Sequence, residues 1–205
     1  MISLGRVAAA IQSHGEPSLR LTAGKASAQP VNRLGGKPNL PKEFPWPVWQ
    51  NQQPLAFIAQ LDLATLLKLR SLPLPKSGSL FFYDADSHPW GYDPKHRGGA
   101  RVIYSASPLA ANRPRCWHID LDDEVRFKGL SLAASVETTP PRPNHEVILD
   151  LHLTEEESDA YWNLQNPDSA NIHRLGGHPD EVQGDLKLEA QLVSNGLYCG
   201  DGKGH

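Results

Sequence analysis

A six-residue motif that occurs twice limits the fold of this chain more than any other feature of its sequence. The motif Arg-Leu-Gly-Gly-x-Pro spans residues 33–38 and returns at residues 174–179, with five of six positions identical. A Gly-Gly pair accepts positive φ or close approach of another backbone, and the residue before a proline is held extended. Each copy is therefore predicted to be a sharp turn with a stiff exit.

The distance between the copies is 141 residues, which indicates duplication of a half-domain and not a solenoid of short units. We predict a single domain with two related halves, at about residues 1–140 and 141–205. The second half lacks counterparts of the apolar segments at 55–61 and 78–84, so we expect it to be truncated. An open strand edge there would favour self-association or capture of a partner by strand addition.

Composition narrows the class of protein. Eighteen prolines in 205 residues, against roughly 5% in average proteins, favour short extended segments over a helical bundle. A formal charge of −3 with scattered Lys and Arg provides no basic field for nucleic acid. Two cysteines are too few for a disulfide framework, no secretory pattern is visible, and no apolar run reaches the ~20 residues of a membrane span. We therefore expect a cytoplasmic protein that binds neither nucleic acid nor membrane.

Hydrophobic periodicity predicts the elements of the first half. They are a helix at 4–12, strands at 18–22, 55–61 and 79–84, and a short helix after Asp62, which can act as its N-cap. The strand at 55–61 is almost continuously apolar and should be covered on both faces. Residues 38–54 hold five prolines with three aromatic residues, which predicts an ordered aromatic lid or binding lip without regular elements.

The remainder of the chain alternates between turns and apolar segments. Strands are predicted at 100–105, 115–121, 124–128, 130–137 and 146–151. Thr154 and Glu157 form a capping box that opens a helix, whose apolar side would hold Tyr161, Trp162 and Leu164. Residues 186–193 fit a strand or a helix equally well. The predicted fold is α+β and mainly β, an internally duplicated antiparallel sheet or roll with a few short helices.

Four segments resemble the YwqG-like family, a bacterial family of uncharacterised proteins. They read Arg-Leu-Gly-Gly-Lys-Pro-Asn-Leu-Pro at 33–41, Phe-Pro-Trp-Pro at 44–47, Pro-Leu-Ala-Phe-Ile-Ala-Gln-Leu at 54–61 and Gly-Ser-Leu-Phe-Phe-Tyr-Asp at 78–84. Gly-Gly-His-Pro at 176–179, followed by Gln183-Gly184-Asp185, resembles the second-half signature of that family. The resemblance implies a mainly β, internally duplicated fold and carries no established enzyme activity. It also implies closing strands after the second turn, which do not follow in this chain.

Polar residues in or beside apolar segments are the candidates for binding a ligand or partner. They are Arg33, Lys37, Trp46, Gln60, Arg174, His178, Gln183 and Asp185. A Gln in an apolar strand must find hydrogen bonds, because burying an unpaired amide costs about 1 to 3 kcal/mol. Internal structure or a ligand could provide them. Trp46 and Trp49 could likewise be a lid on the core or could present a groove to a partner.

Two groups of side chains have the residue types of metal ligands. Cys116, His118 and Asp120 would share one face of a strand, and His173, His178 and Asp180 lie around the second motif. We interpret the first group as the polar face of a half-exposed strand. The second is interpreted as support for the turn, since the first copy of the motif has Lys37 in the place of His178.

No motif for catalysis is complete. His145-Glu146 begins like a zincin helix but meets Leu149 where the second His is required, and Val-Ile-Leu favours a strand. The glycine-rich tail lacks the first Gly and the Ser or Thr of a phosphate-binding loop. Neither cysteine has a partner that would activate it as a nucleophile. We predict no catalytic residue, no metal and no cofactor.

Two classes of function remain. The chain is predicted to be a binding or interaction module without chemistry of its own, for example an immunity-like protein that neutralises another protein, which its mild acidity suits. The alternative is a small-molecule hydrolase or transferase with a site between the halves. That site would use His173, His178, Asp180 and Asp185.

Overall fold

The computed structural model describes residues 5–25, 31–50, 53–69, 71–85, 91–109, 127–165, 173–179 and 186–197. Its helices are α1 Gly5–His14, α2 Leu63–Leu66, α3 Glu146–Leu149, α4 Glu155–Gln165 and α5 Leu186–Ser194, with one turn of 3-10 helix at Pro94–His96. Its strands are β1 Glu16–Ala23, β2 Arg33–Leu34, β3 Val48–Trp49, β4 Gln53–Pro54, β5 Ala56–Asp62, β6 Ser79–Asp84, β7 Ala100–Ser105, β8 Leu130–Thr139 and β9 His173–Gly176. The predicted α+β, mainly β class is confirmed.

The chain forms two compact units. The first comprises residues 1–22, 67–73 and 134–180, and the second comprises residues 23–66, 74–133 and 181–205. Strand β8 contributes residues 130–133 to the second unit and its remaining residues to the first. The division into two related halves near residue 140 stays a prediction.

An antiparallel sheet with the strand order β7-β6-β5-β2-β8 forms the second unit. The apolar strand β5 lies between β6 and β2, and it is buried along most of its length, as the sequence predicts. Its register places Gln60 opposite Arg33. One core cluster contains Leu40, Phe44, Leu55, Phe57, Phe81, Tyr83 and Ala85.

Residues 38–54 contribute to that core from a largely irregular segment. Phe44 is buried and lies 5.0 Å from Phe81 between ring centroids. Trp46 and Trp49 are partly buried and pack against the same cluster. The segment is therefore an ordered aromatic cover, although the expectation that it contains no regular element is wrong. A short antiparallel pair joins β3 to β4, and the proline of this pair occupies its last position.

The first unit combines the strand order β8-β1-β9 with a helical layer. Strand β1 buries Leu19 and Leu21 as its alternation predicts. Helices α1, α3 and α4 share a second core cluster of Val7, Ala10, Ile148 and Tyr161. The helix predicted at the start of the chain is thus confirmed, and it ends where the Gly15 amide donates to the Ile11 carbonyl at 2.8 Å.

The strand predicted at 146–151 is wrong, because these residues form α3 and its C-terminal turn. His145 caps the helix, since its Nδ1 accepts the Val147 amide at 3.3 Å. Ile148 is buried in the cluster that α1 and α4 share. The N-cap and this burial outweigh the modest β preference of Val and Ile, which amounts to well under about 1 kcal/mol per residue.

Helix α4 begins with the predicted capping box. The Thr154 amide donates to Glu157 Oε2 at 2.9 Å, and the Glu157 amide donates to Thr154 Oγ1 at 3.3 Å. Its predicted apolar side is only partly right, because Tyr161 is buried whereas Trp162 is exposed. Residues 186–194 are helical, as α5. The strand predicted at 115–121, most of that at 124–128 and the side chain of Leu164 lie outside the described residues.

Candidate functional site

Both Gly-Gly turns have the backbone that the repeated motif predicts. The φ angles are 56° and 67° at Gly35 and Gly36, and 77° and 83° at Gly176 and Gly177. A Cβ atom added at Gly36 would lie 2.9 Å from the Cα atom of Gly129, and one added at Gly177 would lie 2.5 Å from a side-chain oxygen. Positive φ and close approach therefore both require glycine at these positions. Internal duplication of the whole fold stays a prediction.

Arg33 is buried beside the first turn, and its Nη1 donates to the carbonyl of Lys37 at 2.5 Å. Burial lowers the pKa of the Arg33 guanidinium from its ordinary value. The side chain of Lys37 is exposed. Arg33 thus joins the two ends of the turn from inside, while Lys37 faces solvent.

Gln60 is fully buried, with 0% of its surface exposed. Its Oε1 accepts the Asn39 amide at 2.8 Å, and its Nε2 donates to the Val31 carbonyl at 3.0 Å. The prediction that this amide finds hydrogen bonds is confirmed, and both partners belong to the chain itself. Trp46 is similarly engaged, because its Nε1 donates to the Leu55 carbonyl at 2.9 Å.

Arg174 takes part in an ion-pair network across three strands. Its Nε lies 2.5 Å from Glu137 Oε1, and Arg20 Nε lies 2.6 Å from Glu137 Oε2. Arg20 and Arg174 stand opposite each other in the β1–β9 register. Burial by itself would raise the pKa of Glu137, but the hydrogen bonds and charges of the two arginines outweigh it and lower the pKa. This carboxylate is therefore held ionised inside the first unit.

His178 supports the second turn. Its amide donates to Thr139 Oγ1 at 2.7 Å, and its Nε2 lies 2.9 Å from the carbonyl oxygen of His14. Its ring centroid is 6.1 Å from that of His145. His173, which was grouped with it as a candidate metal ligand, is exposed on β9.

Within the described ranges, no group of three or more His, Cys, Asp or Glu side chains is placed to hold a metal ion. Several candidates lie outside those ranges. They are Gln183 and Asp185 from the binding set, together with Cys116, His118, Asp120 and Asp180. The site residues that the structure does place fall into two groups. Arg33, Lys37, Trp46 and Gln60 belong to the second unit, whereas Arg174 and His178 belong to the first.

A surface of the first unit was missed by the sequence prediction. We call it the α3–α4 surface, and it contains a cleft of about 200 Å³ together with exposed Leu149 and Trp162. The walls of the cleft include Ile148, Leu149, His152, Leu153, Ser158 and Tyr161. Leu149 and Trp162 expose 58% and 57% of their surface. The sequence predicts a strand at 146–151 in place of α3, so this surface between two helices was not predicted.

The segment that forms this surface is acidic. It contains Glu146, Asp150, Glu155, Glu156, Glu157 and Asp159, and residues 143–173 contain no Lys or Arg. Residues 143–165 therefore carry a formal charge of −6. The whole chain carries −3, so its remaining residues together carry +3. This charge run was the sequence signal that could have marked the surface.

The described residues define a mainly β α+β protein. Its candidates Arg33, Gln60, Arg174 and His178 make hydrogen bonds or ion pairs within their own units. The chain belongs to the family described as Domain of unknown function (DUF1963), whose model matches residues 32–196. The more specific YwqG-like name stays a prediction. Among the curated proteins, no sequence matches this chain. None of the helices in the described ranges is long and apolar enough to cross a membrane.

Proposed function

We propose that this protein is a cytoplasmic binding module that recognises another protein and has no chemistry of its own. The observation that supports this function best is the exposure of Leu149, which lines the α3–α4 cleft, and of Trp162 on the adjoining helix α4. Single exposed apolar side chains are ordinary on a protein surface. A tryptophan grouped with other apolar surface is typical of the centre of a protein interface.

Helical spacing along α4 places Trp162 beside this cleft. Glu155, Ser158 and Trp162 are at positions i, i+3 and i+7, which lie on one face of a helix. Ser158 lines the cleft, so Trp162 stands one turn further along the same face. Leu149 reaches the cleft from α3. The two exposed side chains thus contribute to one surface from two helices.

The charge of the surface favours a partner of a particular kind. A formal charge of −6 over residues 143–165 attracts a basic surface and repels an acidic one. Such complementarity speeds association and makes it sensitive to salt. We therefore propose a partner protein that presents apolar side chains surrounded by lysine or arginine.

The polar candidates from the sequence fit structural roles better than binding roles. Gln60 uses both ends of its amide on the chain's own backbone. Arg174 is bound to Glu137, and His178 bonds to Thr139 and to the carbonyl of His14. Engaging these groups with a ligand would first require breaking internal hydrogen bonds.

The test begins with a photo-crosslinking amino acid at position 162 and, as a matched control, at position 102. Val102 is exposed to 60% and belongs to the other unit. A protein crosslinked from position 162 but not from 102 is then purified and titrated against this protein by calorimetry. We expect Leu149→Ala and Trp162→Ala each to weaken binding at least about tenfold, and Val102→Ala to leave it unchanged. Equal binding by the double variant and wild type would refute the proposed function.

A further inference from the structure

We propose that the α3–α4 cleft binds the side chain of one lysine or arginine from the partner. This inference rests on the proposed function, because it names the group that the α3–α4 surface recognises. It assigns separate roles to the walls of the cleft and to the carboxylates beside it. Each role follows from a different observation.

The size of the cleft selects a single side chain. Its volume of about 200 Å³ is below the range of roughly 300 to 1,000 Å³ that holds drug-sized ligands. A cofactor or metabolite of ordinary size would therefore remain mostly outside. A long, unbranched side chain matches such a volume and can enter from a partner's surface.

The walls of the cleft suit an aliphatic stem. Leu149 and Leu153 contribute apolar surface, and the buried residues Ile148 and Tyr161 also line the cleft. Lysine and arginine place their methylene groups along apolar surface of this kind while the charged head stays near water. A short polar side chain would leave these walls uncovered.

Helical spacing places two carboxylates beside residues that line the cleft. Glu155 shares a helical face with Ser158, and Glu146 shares one with Leu149, in each case three residues away. Both glutamates are exposed. Glu157 is different, because its carboxylate accepts the Thr154 amide in the capping box. Glu155 and Glu146 are thus the two carboxylates that the geometry assigns to the cationic head.

His152 also lines the cleft. It has a φ angle of 46°, and its amide donates to the Leu149 carbonyl at 3.0 Å where α3 ends. Glycine is the usual residue at such a left-handed helix end, since other residues are strained there. Here the position carries an imidazole that lines the cleft.

The experiment uses four capped amino acids as probes with the full chain. They are the N-acetyl methylamides of lysine, arginine, norleucine and glutamate, each titrated while backbone amide shifts are recorded by NMR. We expect lysine and arginine to give saturable shifts at Leu149, His152 and Ser158. Norleucine, which has the stem without the charge, should bind roughly twofold to fivefold more weakly, as loss of one exposed ion pair predicts. Glutamate should give no saturable shift.

Two substitutions in the first turn of α4 test whether the lysine probe recognises the cleft itself or only the negative charge of the helix. Glu155→Gln and Glu156→Gln remove the same charge from exposed neighbouring positions, but only Glu155 faces the cleft by helical spacing. We expect Glu155→Gln to weaken the lysine probe roughly twofold to fivefold and Glu156→Gln to leave it within error.

The outcomes distinguish this inference from the function on which it rests. Absence of saturable shifts with the lysine and arginine probes, or equal binding of the glutamate probe, would refute the proposal that the cleft binds a cationic side chain. Equal effects of Glu155→Gln and Glu156→Gln would show that the charged head of the probe does not lie beside Glu155. In each case the crosslinked partner could still depend on Leu149 and Trp162, which keeps the proposed function standing. Loss of that dependence with intact probe binding would refute the proposed function alone.

Discussion

Glu137 lies between Arg20 and Arg174, which face each other across β1 and β9, and its two carboxylate oxygens each accept one guanidinium. The pKa of Glu137 is consequently below its ordinary value. A carboxyl with a lowered folded-state pKa stabilises the fold at pH values above its unfolded pKa. That contribution is lost as the pH falls through the folded-state pKa. The ion pair thus makes the stability of the first unit depend on pH, with lower stability in acid.

We expect the free energy of unfolding to decrease as the pH falls below the ordinary carboxyl value of 4.5, and Glu137→Gln to remove part of this dependence. At neutral pH the substitution should cost roughly 1 to 3 kcal/mol, because the amide offers one uncharged acceptor in place of the two carboxylate oxygens that the guanidinium groups share. Urea unfolding at a series of pH values measures both effects. The exposed Glu156→Gln serves as the control, and an unchanged pH profile in Glu137→Gln would contradict the assignment.

Two buried tyrosines differ in the fate of their hydroxyl groups. Tyr83 packs against Trp46 and Phe57, and among the described residues its hydroxyl has no hydrogen-bond partner. Burial raises the pKa of this phenol. The hydroxyl of Tyr161, in contrast, donates to the carbonyl of Pro141. A buried unpaired hydroxyl is a cost to stability, whereas a paired one contributes to it.

Tyr83→Phe is therefore expected to leave stability unchanged or to raise it by about 1 kcal/mol. Tyr161→Phe removes the same atom but should lower stability by about 1 kcal/mol, because it removes the buried hydrogen bond that the Tyr161 hydroxyl donates to the Pro141 carbonyl. Chemical denaturation of the two variants beside wild type compares them directly. A larger loss in Tyr83→Phe than in Tyr161→Phe would show that the Tyr83 hydroxyl is bonded.

At the scale of elements, local chemistry was predictable wherever the residues near a position decide its structure. The positive φ angles of the Gly-Gly turns, the capping box of α4 and the N-cap at Asp62 all follow from nearby sequence. The need of Gln60 for hydrogen bonds was also predictable, but its partners Asn39 and Val31 lie 21 and 29 residues away along the chain. Helix α3 did not follow, since it depends on burial of Ile148 by other helices. The α3–α4 surface was missed for the same reason, because two short elements must meet before the cleft exists.

The end of α3 provides a test of backbone strain. His152 occupies a left-handed conformation that costs most L-residues roughly 1 kcal/mol relative to glycine. We expect His152→Gly to preserve the helix end and to raise stability by up to about 1 kcal/mol. His152→Val should lower it, since β-branched residues tolerate this conformation poorly. Thermal unfolding of both variants measures the difference, and equal melting temperatures would mean that the conformation is not retained in solution.

At the scale of the whole molecule, the repeated motif predicted two equivalent turns, and both turns have left-handed glycines. The boundaries of the compact units could not be predicted from it. Each unit is assembled from separated segments, and residues 67–73 belong to the first unit although their sequence neighbours on both sides belong to the second. The assignment of separated segments to one unit depends on long-range packing. Hydrophobic periodicity within a short stretch of sequence does not reveal such packing. Equivalence of the two halves therefore requires a test that treats both turns alike.

Gly36→Val and Gly177→Val provide that test, one in each unit. Both positions combine positive φ with neighbours closer than 3.0 Å to an added Cβ, so each substitution should cost at least about 1 to 3 kcal/mol. Gly91 has a φ of 86° but nothing within 4 Å of an added Cβ, so Gly91→Val isolates backbone strain from the clash. Denaturant unfolding should rank Gly91→Val as the mildest of the three. If Gly36→Val or Gly177→Val left stability at the wild-type value, the motif would not be a structural turn in that unit, and the case for duplication would fail.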